Sequence, residues 1–182
     1  MSDTVTCYIE KDNKWLMLYR NKKKNDINEN KWIGVGGHIE IGETPEEALV
    51  REIKEETNLD LISYKLLGII YFKFKDVKEK MYVYESKEFK GNLSECNEGT
   101  LKYINKNEVL LLNLWDGDRI FIKDIFNDKY FEYLMEYNDD YTLKKVERIV
   151  WILYKRLSRF IFNKNLGWVE RWYTCWNSMF AC

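Results

Sequence analysis

The sequence predicts an α+β domain, and three observations predict it. Two pairs of strand-like runs are each separated by a short polar stretch, one helix announces its own start, and the apolar content suffices for a core. The chain has 182 residues, 46% of them hydrophobic and 16% aromatic. At that length folding buries roughly 70% of the unfolded surface, so neither disulfides nor a structural metal are needed for stability.

Taken in order, residues 4–10 and 14–20 are rich in β-branched, aromatic and apolar types with Asp12 and Asn13 between them, which reads as a hairpin. Lys22, Lys23 and Lys24 lead into an Asn-rich stretch ending at Asn30, a loop composition. Thr44, Pro45 and Glu47 combine an N-cap, a proline at the first helical position and an acid three residues after the cap, so a helix starts here. It is expected to run to about Thr57, with Asn58 in left-handed geometry at its end. Residues 62–74 and 80–89 form a second expected hairpin. Lys106–Leu112 is expected as a short helix, Asp118–Phe126 as a longer one and Tyr130–Tyr137 as a late strand.

Composition excludes several functions. With His38 as the only histidine, no histidine-based metal cluster can form. The net charge of -1 argues against a nucleic acid polymer as partner, because phosphate neutralisation requires a basic excess. No stretch approaches the ~18 apolar residues of a transmembrane segment. Cys7, Cys96, Cys175 and Cys182 form no C-x-x-C pair; free thiols suit a reducing compartment, and the expected location is cytoplasmic.

Charge is unevenly distributed. Residues 148–182 hold six basic residues, one acid and four of the seven tryptophans. This divides the chain into an expected catalytic domain, 1–147, and a basic, Trp-rich C-terminal extension, 148–182. A helical extension over about Val146–Phe162 is expected, with Ile149, Leu153, Leu157 and Ile161 on one stripe. That stripe implies burial on the domain, in a homodimer or on an anionic surface.

The chemistry sits in Gly36–Leu59. On a helix Glu52, Glu55 and Glu56 share one arc, with Leu49 and Ile53 on the adjoining apolar side. Lys54 points roughly the opposite way, so the three like charges call for a cation among them. Hard oxygen donors favour Mg²⁺ or Mn²⁺, which also accept substrate phosphates. The bland alternative is a solvated acidic face. Against it, the pair Gly36-Gly37 allows close backbone approach, and Glu43 and Arg51 add an acid and a base nearby.

Gly37, Glu43 and the run Arg51-Glu52-Ile53-Lys54-Glu55-Glu56-Thr57-Asn58-Leu59 resemble the Nudix box, G-x5-E-x7-R-E-U-x-E-E-x-G-U with U aliphatic. Asn58 alone departs, in place of a glycine that ends the helix. The resemblance implies the Nudix fold, a mixed β-sheet sandwiched between helices, and metal-dependent attack of water on a phosphoanhydride. Carried over by position, it implies a metal shell of the Gly36 carbonyl, Glu52, Glu55, Glu56 and Glu98. It implies a water oriented by Glu52 or Glu56, and in Arg51, with its carboxylate contacts, a holder of the catalytic helix.

Beyond the box, over roughly residues 3–147, the chain resembles the MutT-like branch that hydrolyses oxidised purine nucleoside triphosphates. Trp115 and Asp118 match that branch's Trp-x-x-Asp element, implying a stacking surface and a carboxylate that reads the purine edge, with Gly37 and His38 at the pocket margin. Ile33 and Gly117 depart from the base-reading positions of the mammalian enzymes, so the base contact differs. The implied role is sanitising the nucleotide pool in support of DNA repair. The alternatives are a broad-specificity pyrophosphatase on other nucleoside diphosphate derivatives and a non-catalytic nucleotide-binding domain. ADP-ribose hydrolases of the family carry a proline beyond the box, and Pro45 is the only proline here.

Overall fold

The computed structural model describes residues 3–24, 26–75 and 77–149. Strand β1 (Thr4–Lys11) turns through Asp12 and Asn13, both at positive φ, into β2 (Lys14–Tyr19). The short β3 (Trp32–Ile33) precedes helix α1 (Pro45–Thr57), and β4 (Asp60–Phe74) and β5 (Val77–Lys90) form the second expected hairpin. There follow β6 (Thr100–Asn105), α2 (Lys106–Val109), α3 (Asp116–Phe126), β7 (Phe131–Tyr137) and β8 (Leu143–Arg148). The sheet runs β3-β2-β1-β5-β4-β7-β8, with β6 paired to β2. It is mixed, since β1 lies parallel to β5 and β4 parallel to β7 while the other pairs are antiparallel.

Alternation along the strands builds two cores, because successive side chains leave opposite faces of a sheet. Val5, Cys7, Ile9 and Leu16 meet Leu49 and Ile53 of α1. Tyr8, Trp15 and Met17 meet Phe121, Ile122 and Ile125 of α3 together with Phe131 and Met135 of β7. The sheet is thus covered by a helix on each face, as expected.

Helix α1 forms as its caps dictate. The Thr44 hydroxyl accepts the Glu47 N–H at 3.2 Å, and Glu47 Oε2 accepts the Thr44 N–H at 2.8 Å. Asn58 closes the helix at φ 61°, its N–H donating to the Lys54 carbonyl. Elsewhere the boundaries differ from expectation. α3 begins at Asp116, two residues early, and α2 ends at Val109. β3, β6 and β8 were not expected as strands. β8 corrects the helix expected from Val146: Val146 pairs with Met135 and Arg148 with Tyr133. Residues 150–162 of that expected helix, with Cys175 and Cys182, lie outside the described residues. Cys7 and Cys96 are buried free thiols, and no helix among the described residues is long and apolar enough to cross a membrane.

Candidate active site

The segment after β3 is laced to β1. The Val5 N–H donates to the Gly37 carbonyl at 2.9 Å, and the Cys7 N–H to the Val35 carbonyl at 2.7 Å. At φ +153° Gly36 holds a backbone conformation that side chains disfavour, and a Cβ there would run into the Val5 carbonyl. This close approach aims the Gly36 N–H at α1, where Glu56 Oε2 accepts it at 3.1 Å. At Gly37 the space of a missing Cβ is filled by the Glu52 carboxylate, whose atoms would lie 2.5–2.7 Å from it. The two glycines therefore dock directly onto the two glutamates.

Arg51 secures that docking. Its Nε and Nη2 donate to the two carboxylate oxygens of Glu43 at 2.7 and 2.9 Å, Nη1 donates to Glu52 Oε1 at 2.8 Å, and Nη2 also reaches the His38 carbonyl at 2.9 Å. A planar guanidinium suits such a fork, which an ammonium would not span. The Arg51 bond holds the Glu43 carboxyl down at about 2. Arg51 and Glu43 thus connect the loop to the helix, while His38 contributes its backbone and bridges to Thr4.

The three glutamates of the arc differ in surroundings. Glu56 is buried and Glu52 nearly so, whereas the Glu55 side chain is 62% exposed, with Arg51 Nη1 at 3.5 Å. Burial, with the Glu52 charge beside it, pushes the Glu56 carboxyl up to about 7 although the Gly36 N–H bond opposes the shift. Arg20 and Lys23, whose charges reach Glu56, also form ion pairs with Glu98. Lys54 turns away to Asp60 at 3.0 Å, as its position on the helix implies. Among the described residues no three acidic, thiol or imidazole side chains close on one point. The donor chemistry nonetheless fits a hard divalent cation: Glu52 and Glu56 crowd two like charges against the Gly36-Gly37 backbone, and every candidate ligand is an oxygen.

A second cluster gathers at the start of α3. Trp115 is half-buried at its N-cap position, with Nε1 donating to Asn28 Oδ1 at 2.8 Å. Lys31 Nζ lies 4.9 Å from the Trp115 ring centre and binds Asn113 Oδ1 and the Leu114 carbonyl at 3.1 and 3.2 Å. Asp118 does not cap the helix; it is buried in the first turn, and burial pushes its carboxyl up to about 7 against the opposing charges of Lys31 and Arg119. Its charge also reaches the Tyr8 hydroxyl. Gly34 packs against Tyr8 and Thr6, so the chain from Gly34 to Gly37 runs from this cluster to the glutamates.

The structure therefore brings Gly36, Gly37, Glu43, Arg51, Glu52 and Glu56 together, with Trp115 and Asp118 grouped separately. Sequence reasoning missed Arg20, Asn28, Lys31 and Tyr137. For Arg20 a signal existed, since a basic residue in register with Leu16 and Leu18 is turned toward the α1 face. Asn28 lay in a stretch whose composition read only as loop, and Lys31 follows directly after it.

The NUDIX domain profile matches residues 2–125. The chain is 27% identical over 111 residues to the oxidized purine nucleoside triphosphate hydrolase of Danio rerio, covering 60% of this chain and 71% of that one. It is 51% identical over 61 residues to the ADP-ribose pyrophosphatase of Methanocaldococcus jannaschii, covering 34% of each. The crystal structure of the mutator MutT protein from Bacillus halodurans superposes with a TM-score of 0.72 at 24% identity, covering 81% of this chain and 97% of that one.

Proposed function

The chain belongs to the Nudix hydrolase family, and from that premise we propose that it hydrolyses a nucleoside triphosphate to the monophosphate and pyrophosphate, with oxidised purines such as 8-oxo-dGTP as preferred substrates. The observation that carries the reading is the meeting of Glu52 and Glu56 with the Gly36-Gly37 backbone. A purely structural acidic face would be solvated, whereas these carboxylates are drawn inward against each other.

In this reading Glu52, Glu56 and the Gly36 carbonyl would hold Mg²⁺ or Mn²⁺, with Glu55 and Glu98 completing the set, and a cation bound there would supply positive charge against that developing on the phosphoryl oxygens. Glu52 or Glu56 orients the attacking water and takes its proton as the new P–O bond forms and the anhydride bond to the departing pyrophosphate breaks. Arg51 and Glu43 keep Glu52 in place. Arg20 and Lys23 bring positive charge beside the polyphosphate, and Trp115 and Asp118 receive the base, with Gly37 and His38 at the margin between. The likeness to the Danio rerio enzyme supports the purine assignment, together with a half-buried indole beside a buried carboxylate.

The test is pyrophosphate release from dGTP and 8-oxo-dGTP with Mg²⁺, with Mn²⁺ and with chelator. Wild type should release pyrophosphate only with metal and faster from 8-oxo-dGTP, and Glu56→Gln and Glu52→Gln should each lower turnover by about 10²-fold or more. Full turnover in both variants would overturn the site. Equal efficiency on the two nucleotides would leave a triphosphatase without the oxidised-base preference.

A further inference from the structure

Gly117, in the first turn of α3, leaves its side-chain space to a residue from another element. A Cβ at this position would run into the Tyr137 hydroxyl and lie 2.7 Å from Met135 Sδ. Both neighbours belong to β7, parallel to β4, where Met135 aligns with Phe72. Tyr137 is half-buried; its ring lies 6.0 Å from that of Phe72 and stands edge-on to Trp115, with centres 6.4 Å apart and planes at 86°. The Tyr137 oxygen is thus packed against the Gly117 backbone. A hydroxyl sits here, with the indole and buried Asp118 both near it, because position 117 has no side chain of its own.

We propose that Tyr137 is a specificity-determining residue of the nucleotide pocket, its hydroxyl donating to a carbonyl oxygen on the base edge, so that an oxo-purine is taken in preference to an amino-purine. The inference rests on the reading of the Trp115 and Asp118 cluster as the base pocket and names the base chemistry it selects. A phenol packed through its oxygen against the Gly117 backbone keeps one O–H to give away. Burial, with the neighbouring Asp118 charge, pushes its ionisation to higher pH, so the proton stays on at neutral pH. A base carbonyl completes that bond. An exocyclic amino group in the same place sets donor against donor, and the Gly117 backbone crowds the hydroxyl as it would turn to accept instead. Pockets built around a defined hydrogen bond reject the analogue that leaves it unmade.

The deciding measurement compares dITP with dATP, which differ at the purine 6 position, in wild type, Tyr137→Phe and Gly117→Ala. Phenylalanine keeps the ring and removes only the hydroxyl; alanine at 117 leaves the hydroxyl and pushes it aside. Wild type should favour dITP in kcat/KM, and each variant should reduce the dITP-to-dATP ratio by about tenfold, the equivalent of one hydrogen bond. Thermal melts confirm that the variants fold. Calorimetric binding of IMP and AMP gives the same comparison without turnover. No hydrolysis of any triphosphate, with IMP still bound more tightly than AMP and the preference lost in Tyr137→Phe, would overturn the proposed reaction and leave this inference standing. A wild type indifferent to the two bases, or a preference that survives in Tyr137→Phe, would overturn the inference.

Discussion

Arg51 grips Glu43 with two parallel bonds, Nε to Oε1 at 2.7 Å and Nη2 to Oε2 at 2.9 Å, and with its remaining nitrogen reaches Glu52. One side chain thereby joins the loop before α1 to a carboxylate of the proposed site. Lysine cannot hold Glu43, Glu52 and the His38 carbonyl together. Steady-state assays of Arg51→Lys should show turnover reduced by about 10- to 100-fold, since small misplacements of a reacting group cost rate steeply. The Glu43 carboxyl, held at about 2, keeps the pair intact until acid well below the ordinary carboxylate range.

Gly36 and Gly37 should respond differently to alanine. At Gly36 the new methyl meets backbone, the Val5 carbonyl carbon at 2.9 Å, at a φ alanine avoids. Urea unfolding should show a loss of about 1–3 kcal/mol or more. At Gly37 the obstacle is the end of a movable side chain, the Glu52 carboxylate. There stability should change by less than about 1 kcal/mol, while turnover falls by about 10²-fold as Glu52 is displaced.

Asp118 gives stability a pH dependence of defined sign. Its carboxyl is pushed up to about 7 in the folded chain, against about 3.9 when unfolded. Its contribution is therefore fully present below about pH 4 and is lost as pH rises through about 7, at most about 4 kcal/mol. Lys31 and Arg119 oppose the shift, and the Tyr8 and Tyr137 hydroxyls face the group without charge. Thermal melts of the metal-free protein should fall from pH 5 to pH 8. Asp118→Asn should flatten that fall without abolishing it, because Glu56 is raised in the same direction.

The domain edge can be set by truncation. Arg148 closes β8: it pairs with Tyr133, reaches Asp124 Oδ2 at 3.2 Å and donates to the Tyr130 carbonyl at 3.1 Å. A chain ending at Arg148 should fold and hydrolyse nucleotide with metal present, since every residue assigned to the reaction precedes it. Ending at Glu147 should lower the unfolding free energy by about 1 kcal/mol, the worth of a partly screened ion pair. Insoluble or inactive 1–148 would show that the later residues belong to the domain.

What the sequence determined by itself was local. Thr44, Pro45 and Glu47 start α1 by satisfying its first N–H groups within a few residues, and Asn58 ends it by the same kind of short-range bond. The two hairpins and the placing of the Nudix residues on one helix were legible because strand alternation and helical spacing are periodic in the chain. Tertiary structure decided the rest. Val146–Arg148 fall in the stretch expected as a helix, but pairing with β7 makes them a strand, and propensity yields to a neighbouring edge. Glu52, Glu55 and Glu56 look alike on a helical wheel; only docking against Gly36 and Gly37 buries Glu56, nearly buries Glu52 and leaves Glu55 in solvent. Gly117 reads as a missing aspartate until the fold brings Tyr137 into its space. Each of these outcomes depends on which distant residue fills a volume or shares a charge, and such contacts are made across the sheet, where no spacing along the chain records them.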